Sequence, residues 1–295
     1  MQESASALIT SWDIPPAVTS ALVLVSAIYT AGWIRIRRSR PEQFPLWRLA
    51  AFLCGIMAIF AAVASPLDTF SESLLFMHMA QHFVLMSIAP PLLVLGAPVV
   101  PMLRGLPRWT IHTLLRPLFR SRIAHGVGGF LVRRKVAWIA MNAAYLGWHY
   151  PAAYEFALRS ENWHNVEHAC FLFTSVLFWW PILQPCPFRQ RGHRWMIVPY
   201  LLFADIVNTA LSAFLCFSGR LLYPSYGEIP RPFGLSALKD QAAAGAEMWV
   251  LGSIVFLIPA IAITMQIFSS PGARHLESAK PGLHADAAWQ LSGTE

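Results

Sequence analysis

A chain of 295 residues that is 56% hydrophobic and 13% charged holds more apolar surface than a soluble domain of that size can bury. Repeated apolar runs of this kind predict an all-α, polytopic membrane protein. Its net charge of +7 comes mainly from arginine, 19 of 22 basic residues, and lies in the loops between runs. It therefore reports topology and excludes nucleic acid as a partner. The four cysteines, Cys54, Cys170, Cys186 and Cys216, form no CxxC or CxxxC. This excludes a disulfide scaffold, a zinc ribbon and a thiol-based copper carrier.

In chain order, residues 1–16 read as an external N-terminal segment, followed by a seven-helix transmembrane domain over 17–268. The first apolar run, 17–36, has its arginines after it rather than before it. It is expected to stay as the first span rather than to be cleaved as a secretory signal. Further spans are expected at 46–64, 74–100, 135–150, 164–184, 195–217 and 241–268, each approaching the ~20 apolar residues that cross a bilayer. The fourth is short. The third is long and contains Pro90-Pro91 and Pro98, which predicts a kink or a broken helix. The 101–134 loop is basic and amphipathic and is expected to lie partly on the inner membrane surface, against lipid. Residues 269–295 are polar and read as a disordered cytoplasmic tail.

The basic residues alternate by loop. Eighteen fall after span one, between spans three and four, between five and six, or in the tail, against four (Arg159, Arg220, Arg231, Lys239) in the intervening loops. Cytoplasmic loops carry the Lys/Arg excess, so seven spans are predicted with the N-terminus outside and the C-terminus inside.

That orientation gathers five of the ten histidines on the outer side. His78 and His82 lie near the outer end of span three, His149 at the end of span four, and His164 and His168 at the start of span five. His112, His125, His193, His275 and His284 fall on the inner side. Residues i and i+4 share a helix face, so two HxxxH pairs are positioned to converge. Imidazole is costly in hydrocarbon unless paired, hydrated or metal-bound, and this predicts a metal site of His78, His82, His149, His164 and His168. Gln81, Met86, Glu167, Asp240 and Glu247 are supporting candidates. Histidine with methionine suits copper, and a neighbouring carboxylate can fix the tautomer of a ligating imidazole.

Plainer readings stand beside this one. A lone membrane histidine is most simply a helix-to-helix hydrogen bond, and a methionine in an apolar helix is usually filler. Asp205 and Asn208 read as a structural contact, and Trp148, Trp163, Trp179 and Trp180 as an interfacial belt. Histidines on two facing helices could also supply axial ligands to a haem. The broken third span resembles helices that line transport sites, which keeps a membrane metal transporter open. HxxxH pairs also occur in membrane di-iron oxygenases, although those use more histidines.

HMAQH at 78–82, APPLLVLGAP at 89–98, WHYPAAYEFAL at 148–158, HNVEH at 164–168, FWWP at 178–181 and DQAAAGAEMW at 240–249 occur in this order. Together they resemble the CtaG family of cytochrome c oxidase assembly factors, seven-span bacterial membrane proteins linked to caa-type oxidases. The resemblance runs from about residue 46 to 268. It implies a non-enzymatic role in maturing a cytochrome c oxidase, at its copper-bearing part, in the bacterial plasma (inner) membrane. The implied partners are oxidase subunits and a periplasmic copper donor. His78, Gln81, His82, His149, His164, His168, Asp240 and Trp249 are the matching positions. With no cysteine pair, methionine-rich tail or soluble carrier domain, a chaperone of this kind would have to deliver copper directly at the membrane surface.

Overall fold

The structure is a computed structural model that describes residues 12, 14–185, 193–229 and 234–269. Most of the expected external segment 1–16 and nearly all of the expected tail 269–295 lie outside the described residues. So do Cys186, Arg189, Arg191, Arg231, Arg274, Lys280, His275 and His284.

Among the described residues every regular element is helical. In chain order they are α1 (Pro16–Arg37), α2 (Leu46–Ala64), the short α3 (Pro66–Ser71), α4 (Leu75–Phe83), a π-turn (Val84–Ile88), α5 (Ala89–Leu95) and α6 (Val99–Gly105). Short basic helices follow, ending in α7 (Arg122–Leu131). Then come α8 (Arg134–His149), α9 (Pro151–Leu158), α10 (Glu161–Leu183), α11 (Ile197–Phe217) and α12 (Ala237–Phe268). Among the described residues six stretches are long and apolar enough to cross a membrane: Pro16–Arg37, Leu46–Ala64, Leu75–Leu95, Glu161–Leu183, Arg194–Phe217 and Ala237–Phe268. Their outward faces expose side chains such as Val23, Met57, Phe203, Ile206, Ile258 and Met265, as a helix bordered by lipid requires.

The expected fourth span is the exception in length. α8 has 16 residues, about 24 Å at the helical rise, against a hydrocarbon core of ~30 Å. It ends at extended Tyr150, because Pro151 disfavours helix in the residue before it, and the chain turns into α9. α8 is nonetheless embedded in the bundle and runs parallel to α11. Trp138 Nε1 donates to the Tyr200 carbonyl at 3.1 Å and Tyr145 Oη to Asn208 Oδ1 at 2.9 Å. α11 and α12 run antiparallel, tied by Asn208 Nδ2 to the Met248 carbonyl and by Ser253 Oγ to Asp205 Oδ1.

The third span stops earlier than its apolar run. Pro90 and Pro91 do not break it, because they occupy the first turn of α5 behind the π-turn. In an α-helix the Met86 carbonyl would await an N–H from residue 90, which proline lacks. Trp179 Nε1 supplies that hydrogen bond from α10 at 3.3 Å. The real break comes at Gly96–Pro98, where Ala97 takes a left-handed φ of 49°. Beyond it, α6 folds back against α1. A Cβ on Gly32 would collide with the Pro101 carbonyl, and one on Gly105 with the Ile28 carbonyl, so only glycine permits this backbone approach.

The main core lies among α4, α8, α10, α11 and α12, with α1 and α2 forming a flanking cluster around Tyr29. Tyr29 stacks on Phe52 at 3.7 Å and donates to the Gly96 carbonyl at 2.7 Å. The ends of α2 and α8 and the starts of α4, α10 and α12 meet at one end of the bundle, where the site lies.

Candidate metal centre

The first turn of a helix leaves backbone donors without intrahelical acceptors. Leu74, at the N-cap of α4, has no side chain to receive them. Asp240, at the start of α12, fills the gap across 165 positions of sequence: its carboxylate accepts from Leu75 N at 2.8 Å and Phe76 N at 3.1 Å. A negative charge there also suits the helix dipole. On the next turn, Gln81 Nε2 donates to the Ala62 carbonyl at 2.8 Å and to Asp68 Oδ1 at 2.6 Å. These contacts fix the start and rotation of α4, and with them the direction of His78 and His82.

His78 and His82 meet His164 and His168 of α10. One ligand atom from each of the four lies within 4.8 Å of all the others. The ring centroids are 4.3 Å apart for His78–His82, 4.2 Å for His164–His168, 5.1 Å for His78–His164 and 5.2 Å for His82–His168. His149 stands beside this group, 6.1 Å from the His82 ring, rather than within it. Glu167 Oε1 approaches His82 Nε2 at 3.9 Å.

Hydrogen bonds set the ring tautomers. Burial holds the Tyr226 hydroxyl well above the ordinary phenol value, so it stays protonated. It donates to the Ser71 carbonyl at 2.8 Å and sits 3.1 Å from His78 Nδ1. With its one proton given to Ser71, the phenol oxygen accepts Nδ1–H and leaves His78 Nε2 with a free lone pair. His149 Nδ1 likewise faces the Tyr145 carbonyl at 2.7 Å. Nε2 of His78, His82, His149, His164 and His168 is in each case buried and without a hydrogen-bond partner, as are both Glu167 oxygens. A buried polar atom left unpaired costs ~1–3 kcal/mol. Four of these imidazoles, those of His78, His82, His164 and His168, are grouped closely enough to hold one cation, and the contacts at His78 Nδ1 and His149 Nδ1 orient those two rings as outer partners do in metal sites.

Access is from the same end. A cleft of about 900 Å³ between α1, α2, α3 and α10 reaches His164 and His168 and is bordered by Asp68, Glu72 and Glu161. Cation attraction toward such a border follows from its charge.

Of the residues singled out from sequence, the structure brings His78, His82, His164, His168 and Glu167 together. It places His149 alongside, and Gln81 and Asp240 in supporting positions. Met86 lines a separate, smaller cavity. Glu247, half-buried further along α12, does not join the ligand group. Trp249 is 36% exposed and packs edge-on against Phe217. The tyrosine lid was missed: Tyr226 on His78, Tyr154 5.3 Å from the His78 ring, and Tyr223 donating to the His149 carbonyl at 2.9 Å. Its traces in sequence were Tyr154 within WHYPAAYEFAL and two tyrosines three apart around Pro224.

The fold and site define a polytopic helical membrane protein with a buried polyhistidine centre opening to one face. Residues 27–270 match the family model described as cytochrome c oxidase caa3 assembly factor, and the chain belongs to that family. It is 24% identical over 297 residues to an uncharacterized protein of Mycobacterium leprae (strain TN), covering 95% of this chain and 42% of that one. Uncharacterized proteins of Mycobacterium bovis and Mycobacterium tuberculosis are 25% identical over 276 residues, 88% of this chain and 40% of theirs. The chain thus spans about two fifths of the length of these curated relatives. No solved structure matches.

Proposed function

We propose that this assembly factor carries copper at His78, His82, His164 and His168 and hands it to a cytochrome c oxidase subunit at the outer face of the bacterial inner membrane. Copper here is cargo rather than a resident cofactor, and the protein acts without catalysing a reaction. The observation that carries the reading is the convergence of four imidazoles, three buried and that of His164 half-buried, all with unpartnered Nε2 atoms. Imidazole accepts either copper state, and an oxidase-assembly family supplies the context for copper over other imidazole-seeking metals. The acidic cleft offers a route for a periplasmic donor or an oxidase subunit to reach the site directly. Rings packed 4.2–5.2 Å apart leave no slot for a porphyrin, and this disfavours the haem alternative.

The test is metal content and optical spectrum of detergent-purified protein, wild type beside His78→Ala/His82→Ala. Near-stoichiometric copper in the wild type, lost in a variant that still inserts into the membrane, is the expected result. Full copper in the variant, or none in the wild type, overturns the assignment; a Soret band would restore haem.

A further inference from the structure

Beneath the histidines the bundle is not fully packed. A cavity of about 50 Å³ lies between α4, the π-turn, α8, α10, α11 and α12, several times the ~10–15 Å³ that one water-sized occupant needs. Met79, Met86, Met141 and Met248 line it, each more than nine-tenths buried. His82 and His149 also line it, 2% and 3% exposed, and the Nε2 of each lacks a partner. Both ring nitrogens of His82 are unpartnered, so this residue stands between the group of four and the cavity.

Methionine in a helical core normally adapts to fill irregular gaps. Here four methionines from three different spans and runs border space that stays open, beside two imidazoles with bare nitrogens. Filler alone would leave those nitrogens unsatisfied at a cost. Thioethers are neutral, soft donors that select Cu(I), and a wall without a carboxylate, whose other polar members are the neutral Ser87, Asn142, Tyr145 and Asn208, penalises a divalent charge more than a monovalent one.

We infer that this cavity is a second metal site, one that takes a soft monovalent cation between methionine thioethers and the Nε2 of His149. His82 links it to the outer histidine centre, which lets reduced copper occupy a deeper, water-poor position out of reach of the cleft. The identity of the cargo rests on the copper reading above, but the site itself does not need the outer centre to bind.

The full chain in detergent is titrated with Cu(I) buffered by bicinchoninate under ascorbate, and the bound metal is examined by X-ray absorption. Wild type is compared with Met86→Leu/Met248→Leu, a volume-conserving change, and with His164→Ala/His168→Ala. The wild type should bind two equivalents with both nitrogen and sulfur neighbours. The methionine variant should keep one, with nitrogen alone, and the histidine variant one that retains sulfur. A wild type without sulfur neighbours, or a methionine variant that keeps both equivalents, overturns the second site while leaving the outer one standing. A single sulfur-bearing equivalent untouched by His164→Ala/His168→Ala would instead support the second site and remove the outer one. The wild-type spectrum decides the matter even if the methionine variant misfolds.

Discussion

Replacing Asp240 with alanine removes the cap from the helix that carries half of the histidine centre. Two backbone donors, Leu75 N and Phe76 N, lose their acceptor in a place where Asp240 is only 1% exposed. Each stranded donor costs ~1–3 kcal/mol, and a carboxylate at a partly buried helix N-terminus adds up to ~2 kcal/mol. Removal of a buried charge returns part of this as relieved desolvation. The net is about 2–4 kcal/mol, concentrated in the first turn of α4. His78 is the fourth residue of that helix and its own N–H bonds the Leu74 carbonyl at 3.1 Å, so it sits inside the turn that loosens. Local opening is read by hydrogen exchange. At 1.4 kcal/mol per tenfold, exchange in peptides covering 75–83 should rise roughly 30- to 1,000-fold. Peptides from α11 should change far less. Asp240→Asn keeps one acceptor oxygen and should give a smaller rise. Copper retention should fall in the same order, wild type above Asn above Ala. Unchanged protection at 75–83 in Asp240→Ala would refute the reasoning, since two buried amides cannot lose their acceptor without cost.

Tyr226→Phe removes the oxygen that faces His78 Nδ1; copper affinity should drop ~10–100-fold while insertion and helix content hold, and an unchanged affinity in a chelator competition would remove Tyr226 from the site. Trp179→Phe strands the Met86 carbonyl at the π-turn and should lower unfolding free energy in mixed micelles by about 1–3 kcal/mol; no change would mean that another donor takes over. An outward N-terminus and inward C-terminus require alkaline phosphatase fused after Gly219 to be active and fused after Arg133 to be inactive. The reverse pattern would invert the topology.

Helix positions and the pairing of histidines were legible because both depend on short sequence distances. An apolar run of about 20 residues declares a span, and an i, i+4 spacing declares a shared face, whatever surrounds them. The prolines of the third span were read half correctly. A π-turn and an indole 93 positions away absorb Pro90-Pro91, where a kink was expected, while the break expected at Pro98 is present, with Ala97 left-handed just before it. The fourth run showed its length and its end near Tyr150, but an apolar count could not say that it packs parallel to α11 within the bundle.

What the amino-acid sequence determined by itself is a helical membrane protein whose two HxxxH faces lie at one end, since hydropathy and helical period are local properties. Only the tertiary structure decided which imidazoles share a centre and which stands aside, and that four methionines open onto a cavity behind it. Tautomer and rotation at the site depend on Asp240 and Tyr226, which reach α4 across 165 and 148 positions. Contacts at such separations exist only after the spans have packed, because no local preference encodes which distant donor or acceptor will arrive.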